Sequence, residues 1–373
     1  MHITSIKATV VQERVLWARP IESIFVIRTN KLSPRQRRMP WPGSVLVEIE
    51  SDEGITGVGL GGGGKAGAIA VEHYLSPLLL GENPLDISRL WELMYRASYR
   101  YGQAGLMIMA ISALDLALWD LKGKALRQPV WQLLGGKARD KVPVYATIRD
   151  PEWAKAQGFT GVKLGGPYGP QDGAEGLRLN EAAIASIRER VGSDFDIMLD
   201  CARTWDVEYT LNMARLLAPY HIKFIEEPIL SHDIDGYCRL RRSIDSTLIA
   251  CGEHVFTRYG AKLLLEKGAI DIIQPDIRWT GGLSECMKIC DLAAAYNIPV
   301  MPHRGGMAWS LPMIMAHPSC TLAEGLVLTP EEAAYSIFDG EPVPENGFLT
   351  VSNGPGFDLT LVHDRIVNFP SDI

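Results

Sequence analysis

From residue 142 onward, short apolar runs alternate with segments whose apolar residues recur every three or four positions. Runs of the first kind predict strands, and segments of the second kind predict helices. The predicted strands cover residues 142–147, 161–164, 195–200, 223–226, 248–251, 270–274, 299–301 and 321–326, and the helices between them include 174–191, 207–218, 257–267 and 283–296. Such alternation predicts a parallel sheet with right-handed crossovers, and eight strands close into a barrel.

The chain before the barrel has another pattern. Strand-like alternation over residues 3–50 is followed by a hairpin turn at 52–54, and helical periodicity then runs from residue 69 to about 123. The alternation of predicted strands and helices ends after Gly325. We therefore predict an N-terminal α+β domain over residues 1–136, a barrel domain over 137–340 and a C-terminal tail over 341–373 that packs on the N-terminal domain.

Five of the predicted strands end near a residue that can do chemistry. Asp200 and Glu226 end strands three and four, and Glu253, Asp276 and His303 come two residues after strands five, six and seven. The active site of a (β/α) barrel is built at the carboxyl ends of its strands. We therefore expect these five side chains to lie together.

The three carboxylates are candidate metal ligands. Oxygen donors from Asp200, Glu226 and Glu253 suit Mg²⁺, which binds a few carboxylates and keeps positions for water and substrate, whereas zinc favours His and Cys. A single acid is more often a surface residue or a helix cap. Three acids at successive strand ends favour a magnesium site.

The neighbouring residues predict acid–base chemistry. A carboxylate from Asp276 on one imidazole nitrogen of His303 would fix the tautomer and raise the basicity of the other nitrogen. Lys163, at the end of strand two, would lie on the opposite side, where it binds a substrate carboxylate or acts as a base if its pKa is lowered. Glu324 would donate a hydrogen bond to developing negative charge if held protonated, and His254 is a second acid–base candidate.

Composition restricts the partners. A net charge of −7 and a pI near 5.7 argue against nucleic-acid binding, and the dense basic cluster Arg35, Arg37 and Arg38 lies in a long connection over residues 29–43. Six cysteines without a CxxC pair predict reduced thiols in a cytoplasmic protein. An apolar signal core and a membrane-spanning run are both absent from the sequence, so we expect no membrane association.

Motifs along the chain carry a further signal. They are the 113–124 stretch, Leu133-Leu-Gly-Gly136, Leu199-Asp200, Ile225-Glu-Glu-Pro228, Gly252-Glu253, Gln274-Pro-Asp276 and Pro302-His303. In order and spacing they resemble the enolase superfamily, in its mandelate racemase-like branch, over nearly the whole chain. The resemblance implies a modified TIM barrel, (β/α)₇β, under an N-terminal capping domain. It also implies Mg²⁺ on Asp200, Glu226 and Glu253, an Asp276–His303 base dyad, and a homo-oligomer (octamer or dimer).

One position departs from the pattern of that branch. Strand two often ends there in Lys-x-Lys, whose second lysine is the opposing base, but here Lys163 is followed by Leu164 and Gly165. Because racemisation needs a base on each face of the carbon, a one-base elimination is favoured. The single lysine, the Gly/Pro-rich 165–176 stretch and the Gly252-Glu-His254 run are most similar to the L-rhamnonate dehydratase family, from which residues 304–309 differ.

We therefore predict a Mg²⁺-dependent hydro-lyase that converts an aldonate such as L-rhamnonate to a 2-keto-3-deoxy acid. His303 would remove the proton α to the carboxylate, and His303 or His254 would assist loss of the 3-hydroxyl. The alternatives are a dehydratase for another aldonate or aldarate, a racemase or cycloisomerase of the same branch, a Schiff-base aldolase and a non-catalytic barrel. The residues expected to touch the small-molecule substrate are Lys163, His254, Glu324, Arg37 and Arg38.

Overall fold

The computed structural model describes residues 1–13 and 43–367. Arg37 and Arg38, which we predict to touch the substrate, lie outside the described residues. The expected contact of these two arginines with the substrate therefore rests on the sequence.

The N-terminal part is an antiparallel sheet covered by helices. Its strands are β1 (Ile3–Val11), β2 (Ser44–Ser51) and β3 (Thr56–Gly61), in the order β1-β2-β3. The helices are α1 (Gly64–Ile69), a π-helix (Ala70–Leu75), α2 (Ser76–Leu79), α3 (Ile87–Ser98), α4 (Leu106–Leu126) and α5 (Val130–Leu133). The predicted hairpin between β2 and β3 is confirmed by their antiparallel pairing.

Helix α4 lies directly on strand β3. A Cβ atom on Gly57 would collide with the carbonyl of Ala117, and one on Gly59 with the carbonyl of Ala113. The alternating glycines of β3 therefore allow the backbone of α4 to approach the sheet, and most of the helix surface is buried.

The second part is a parallel barrel. Its strands are β4 (Val142–Thr147), β5 (Gly161–Gly165), β6 (Asp196–Asp200), β7 (Phe224–Glu226), β8 (Leu248–Cys251), β9 (Ile272–Ile273) and β10 (Ala323–Gly325), in the order β10-β4-β5-β6-β7-β8-β9. The predicted α/β fold, a modified TIM barrel with an N-terminal α+β cap, is confirmed. Strand seven is shorter than predicted, because Val300 alone forms parallel bridges, with Ile273 and with Cys320.

Helices surround the barrel, and short strands follow it. The helices are α6 (Pro151–Ala156), α7 (Gly173–Val191), α8 (Val207–Leu217), α9 (Ile234–Ser243), α10 (Thr257–Glu266), α11 (Gly282–Ala295), α12 (Leu311–Ala316) and α13 (Pro330–Ala333). Three-residue 3₁₀ helices cover Pro170–Asp172, Ala218–Tyr220 and His363–Arg365, and the last strands are β11 (Phe338–Asp339), β12 (Phe348–Leu349) and β13 (Thr360–Leu361). Within residues 1–13 and 43–367, none of the helices has the length and hydrophobicity needed to span a bilayer.

An apolar layer fills the barrel beneath the strand ends. It consists of Tyr145, Met198, Phe224, Ala250, Ile272, Met301 and Leu322. Side chains alternate between the two faces of a strand, so the residue two positions after each of these returns to the interior, one layer higher. Apart from the position after Ala250, that layer is polar: Thr147, Asp200, Glu226, Gln274, His303 and Glu324.

Hydrogen bonds from α4 join the N-terminal part to the barrel at the start of α11. Asp115 Oδ2 accepts from the backbone N–H of Ser284 at 2.9 Å, and Trp119 Nε1 donates to Ser284 Oγ at 2.8 Å. Asp120 accepts from the backbone of Val58 and Phe357 and pairs with Lys124 at 2.6 Å. Both carboxylates therefore bind backbone N–H groups of neighbouring segments, and Asp120 also pairs with a lysine of its own helix.

The segment after residue 340 contacts both parts of the molecule. The backbone N–H of Phe357 donates to Asp120 on α4, and Val130 donates to Gly356. Strand β12 pairs with β4 of the barrel. The domain boundaries at residues 136 and 340 stay a prediction.

Asp115 gives a test of stability against pH. Burial raises the pKa of this carboxyl to about 7 from an ordinary 3.8. Between these values the unfolded chain has lost a proton that the folded chain keeps, so the unfolding free energy falls as pH rises. We expect it to fall, relative to Asp115→Asn, by about 1.4 kcal/mol per pH unit. Asn keeps an acceptor for Ser284 but carries no charge. Denaturant titrations at several pH values measure the unfolding free energy, and an equal dependence on pH in the wild type and in Asp115→Asn would contradict the assignment.

Candidate active site

Lys163 lies at the centre of the polar layer. Its ammonium Nζ is 2.8 Å from Glu226 Oε1, 2.7 Å from Glu324 Oε1 and 3.7 Å from Asp200 Oδ2. Burial lowers the pKa of Lys163, but the charges of Glu226 and Glu324 outweigh it and hold the pKa well above its ordinary value. These contacts favour Lys163 as a cation, so the lowered pKa that a base would need is not met in this arrangement.

Glu324 is also charged. Its Oε1 accepts from Thr147 Oγ1 at 2.7 Å, and its Oε2 accepts from the backbone N–H of Arg304 at 2.8 Å. Burial raises the pKa of Glu324, but Lys163 and His303 outweigh it and hold the pKa below its ordinary value. The predicted role as a protonated donor is therefore not what the contacts support, because both oxygens act as acceptors.

The Asp276–His303 pair is formed. His303 Nδ1 is 2.7 Å from Asp276 Oδ2, and the other nitrogen, Nε2, is 3.3 Å from Glu253 Oε2. Burial lowers the pKa of His303, but Glu253 and Asp276 outweigh it and raise the pKa to about 9. Asp276 Oδ1 also accepts from the backbone N–H of Arg278 at 2.7 Å. The carboxylate is thus fixed on both sides and orients the imidazole.

Glu253 joins this dyad to His254. His254 Nδ1 is 3.1 Å from Glu253 Oε1 and 2.9 Å from Glu227 Oε2, and these bonds outweigh burial and raise the pKa of His254 to about 9. Gly252 precedes Glu253 with φ 149°, and a Cβ there would lie 2.6 Å from the backbone nitrogen of Gln274. Glycine is therefore required for β8 to end so close to the chain after β9.

Two charged residues that sequence reasoning missed complete this side of the site. Arg203 Nη1 lies 2.7 Å from Glu227 Oε2 and 3.4 Å from Glu253 Oε1. Both Arg203 (φ 62°) and Glu227 (φ 37°) have left-handed backbone, which is uncommon outside glycine and frequent at functional sites. The sequence signal for Glu227 is the Glu-Glu-Pro run, in which Glu226 is the predicted ligand.

The donor set fits a hard divalent cation. Asp200 and Glu226 both contact the Lys163 ammonium, so a positive group already bridges their carboxylates. Burial and the charge of Glu253 raise the pKa of both acids, although Lys163 opposes the shift. Glu253 also belongs to a compact group of possible metal ligands with Glu227 and His254, a group that does not include Asp200 or Glu226. Crowded buried carboxylates of this kind suit Mg²⁺.

A buried ion pair links the N-terminal part to the dyad. Arg278 Nη1 donates to Glu13 Oε2 at 2.8 Å, Arg278 Nη2 donates to Ser44 Oγ at 2.9 Å, and the backbone of Arg278 binds Asp276. Glu13 and Arg278 are both almost fully buried. The contact holds the loop that carries Asp276 against the sheet of β1 and β2.

We expect Glu13→Gln to lower the unfolding free energy by about 3–5 kcal/mol, since it leaves the Arg278 charge buried without its partner. Glu208→Gln is the matched control, because Glu208 pairs with Arg239 on the exposed surface and such pairs contribute about 1 kcal/mol or less. Denaturant titrations measure both. Equal effects of the two substitutions would contradict the assignment.

Comparisons with known proteins identify the family to which each part of the chain belongs. Residues 37–135 match the family described as "Mandelate racemase / muconate lactonizing enzyme, N-terminal domain", and residues 149–365 match "Enolase C-terminal domain-like". An L-rhamnonate dehydratase from Saccharopolyspora erythraea is 41% identical over 336 residues, which cover 88% of this chain and 86% of that protein.

Solved structures are similar over almost the full length. A rhamnonate dehydratase from Gibberella zeae, complexed with Mg, superposes with a TM-score of 0.91 at 34% identity and covers 98% of this chain and 96% of its own. A racemase from Streptomyces coelicolor A3(2) with bound magnesium gives a TM-score of 0.83 at 26% identity and covers 98% of both chains.

Proposed function

Because the chain is an enzyme of the enolase superfamily, with the domains of the mandelate racemase and muconate lactonizing enzyme family, we propose that it is a Mg²⁺-dependent dehydratase of sugar acids. We propose L-rhamnonate or a close stereoisomer as its substrate, by similarity to the dehydratases above. The observation that carries the proposal is the asymmetry of the site. His303 is paired with Asp276, whereas Lys163 is held as a cation by Glu226 and Glu324, and Gly165 stands two positions after it where a second lysine would be needed for a racemase.

We propose Asp200, Glu226 and Glu253 as the residues that hold Mg²⁺. When bound, the ion supplies positive charge that polarises the substrate carboxylate and stabilises the negative charge that forms on it. The carboxylates of Asp200 and Glu226 already pair with the Lys163 ammonium, so the site attracts positive charge. Mg²⁺ at these oxygens would further compensate the negative charges of the two carboxylates, which supports the assignment.

His303 is the proposed base. A base must be neutral, and a cation held at Glu253 would favour the neutral imidazole by compensating the charge that raises its pKa. Asp276 holds Nδ1 at 2.7 Å, so Nε2 is the nitrogen left to take the proton from the carbon next to the substrate carboxylate. The electron pair of the broken C–H bond moves into the carboxylate group and then expels the 3-hydroxyl. The imidazolium returns its proton to that leaving hydroxyl, so that water departs and the enol product rearranges to a 2-keto-3-deoxy acid.

Lys163 and Glu324 stabilise this charge movement as a pair. The ammonium of Lys163 is held by Glu324 at 2.7 Å, so it is oriented before the substrate binds. In this proposal Glu324 positions Lys163 and donates no hydrogen bond itself. His254, held by Glu227 and Glu253, is a second donor near the leaving group.

The test is turnover of L-rhamnonate by the Mg²⁺-loaded protein. Its C2 epimer is the matched control substrate, because its C2 proton lies on the opposite face from the one that His303 would remove, and it should give no product. A carbonyl reagent reports the 2-keto-3-deoxy product. We expect product from L-rhamnonate, none after EDTA, and recovery when Mg²⁺ is restored.

The same assay separates the alternatives. A racemase or cycloisomerase would exchange the α-proton with heavy water and release no 2-keto-3-deoxy acid. A Schiff-base aldolase using Lys163 would survive EDTA and be trapped by borohydride. Product from other aldonates or aldarates alone would keep the reaction class and replace the substrate. A homo-oligomeric state and a cytoplasmic location stay predictions.

A further inference from the structure

A second cluster of possible metal ligands lies outside the candidate active site. It contains Cys290 on α11, His317 just after α12, and Cys320 before β10, and all three are buried. One ligand atom from each lies within 4.8 Å of the others, and the two sulfur atoms are 3.7 Å apart. His317 Nε2 is 3.2 Å from Asp291 Oδ1.

We propose that this cluster is a structural zinc site, with Cys290, Cys320 and His317 as side-chain ligands. Asp291 orients His317 through Nε2, and zinc would replace the backbone N–H of Ser319 at Nδ1. A tetrahedral zinc ion with two Zn–S bonds of about 2.3 Å sets its sulfur atoms roughly 3.8 Å apart. The separation of the Cys290 and Cys320 sulfurs already matches this distance. Two thiolates and an imidazole select zinc over magnesium, which prefers oxygen ligands.

Asp291 gives the cluster an entry path for the ion, since its side chain is 75% exposed and contacts His317. A carboxylate on the second nitrogen of a metal-bound histidine also orients its ring.

The position of the cluster indicates a role in closing the barrel. Cys320 forms an isolated bridge with Val300, which itself pairs with Ile273 through a single bridge. Among the barrel strands that the structure describes, the other neighbouring pairs have two or more bridged positions. We call this singly bridged junction around Val300 the seam. A zinc ion on Cys290 and Cys320 would tie helix α11 to the seam and stabilise barrel closure.

The experiment uses the full chain, stripped with a chelator under reducing conditions and reloaded with Co²⁺ or Zn²⁺ in excess Mg²⁺. Excess Mg²⁺ occupies the carboxylate site, and only Co²⁺ bound to sulfur gives thiolate charge-transfer absorption. We expect this absorption and one retained Zn²⁺ per chain. Cys290→Ser and Cys320→Ser should each weaken Zn²⁺ binding about tenfold or more.

Cys286→Ser is the matched control, because Cys286 is a buried cysteine of the same helix outside the cluster. Its Zn²⁺ affinity should equal that of the wild type. The wild-type Co²⁺ spectrum decides the proposal even if a serine variant fails to fold. Absence of the thiolate band, equal Zn²⁺ affinity in Cys290→Ser and Cys286→Ser, or a Cys290–Cys320 disulfide in the native protein would overturn it.

Discussion

His303→Asn is expected to lower kcat for dehydration by about 10³-fold or more, since it removes the imidazole that Asp276 orients. Asn fills part of the same space and keeps a polar contact for Asp276, so the fold should be retained. Exchange of the α-proton of the substrate in heavy water should be lost to the same extent as product formation. This follows because both need the same C–H bond to break.

His221→Asn is the matched control for this substitution. His221 is exposed and has a left-handed backbone with φ 50°, a conformation that Asn accepts readily. Its activity should stay at the wild-type level. If His303→Asn keeps α-proton exchange and loses only dehydration, then His303 is the acid for the leaving hydroxyl, and another group such as His254 is the base.

Much of this site could be predicted because strand periodicity determines which side chains share a layer. Met198, Phe224 and Met301 are apolar residues of the barrel interior, and two positions later stand Asp200, Glu226 and His303. Once the runs are identified as parallel strands, their ends must meet. The ligand and base candidates therefore followed from local pattern and strand order.

The charge states could not be predicted in the same way. Lys163 and Glu324 are 161 positions apart in sequence, and each fixes the charge of the other through a 2.7 Å contact. Without that contact, Lys163 as a neutral base and Glu324 as a neutral acid were both reasonable. The Glu13–Arg278 pair is a similar case, since nothing in either local sequence indicates a partner in the other domain.

Strand seven is shorter than its apolar pattern predicts, for a related reason. Residues 299–301 are apolar and lie between a helix and the histidine, as in the other units, but only Val300 is bridged to its neighbours. An apolar run predicts burial, and burial does not require a full ladder of hydrogen bonds. The proposed zinc cluster lies at this same seam, which the strand pattern alone would have described as regular.

Asp200→Asn is expected to weaken Mg²⁺ binding on the order of 100-fold or more, because loss of a ligand should cost at least as much as loss of a residue that only orients one. Activity at fixed Mg²⁺ should fall by about 10³-fold or more, as the ion stabilises charge by several kcal/mol. Asp200 Oδ1 accepts from the backbone N–H of Ala202 at 2.8 Å, and Asn can keep this bond. Titration calorimetry with Mg²⁺ and the product assay measure the two effects.

Asp196→Asn is the control, since Asp196 begins the same strand at the other end of the barrel and pairs with Lys223. It should leave Mg²⁺ affinity unchanged. Raising Mg²⁺ should restore part of the activity of Asp200→Asn if the loss is one of occupancy, and none of the activity of His303→Asn. Unchanged Mg²⁺ affinity in Asp200→Asn would remove Asp200 from the ligand set and move the ion toward the compact Glu227, Glu253 and His254 group.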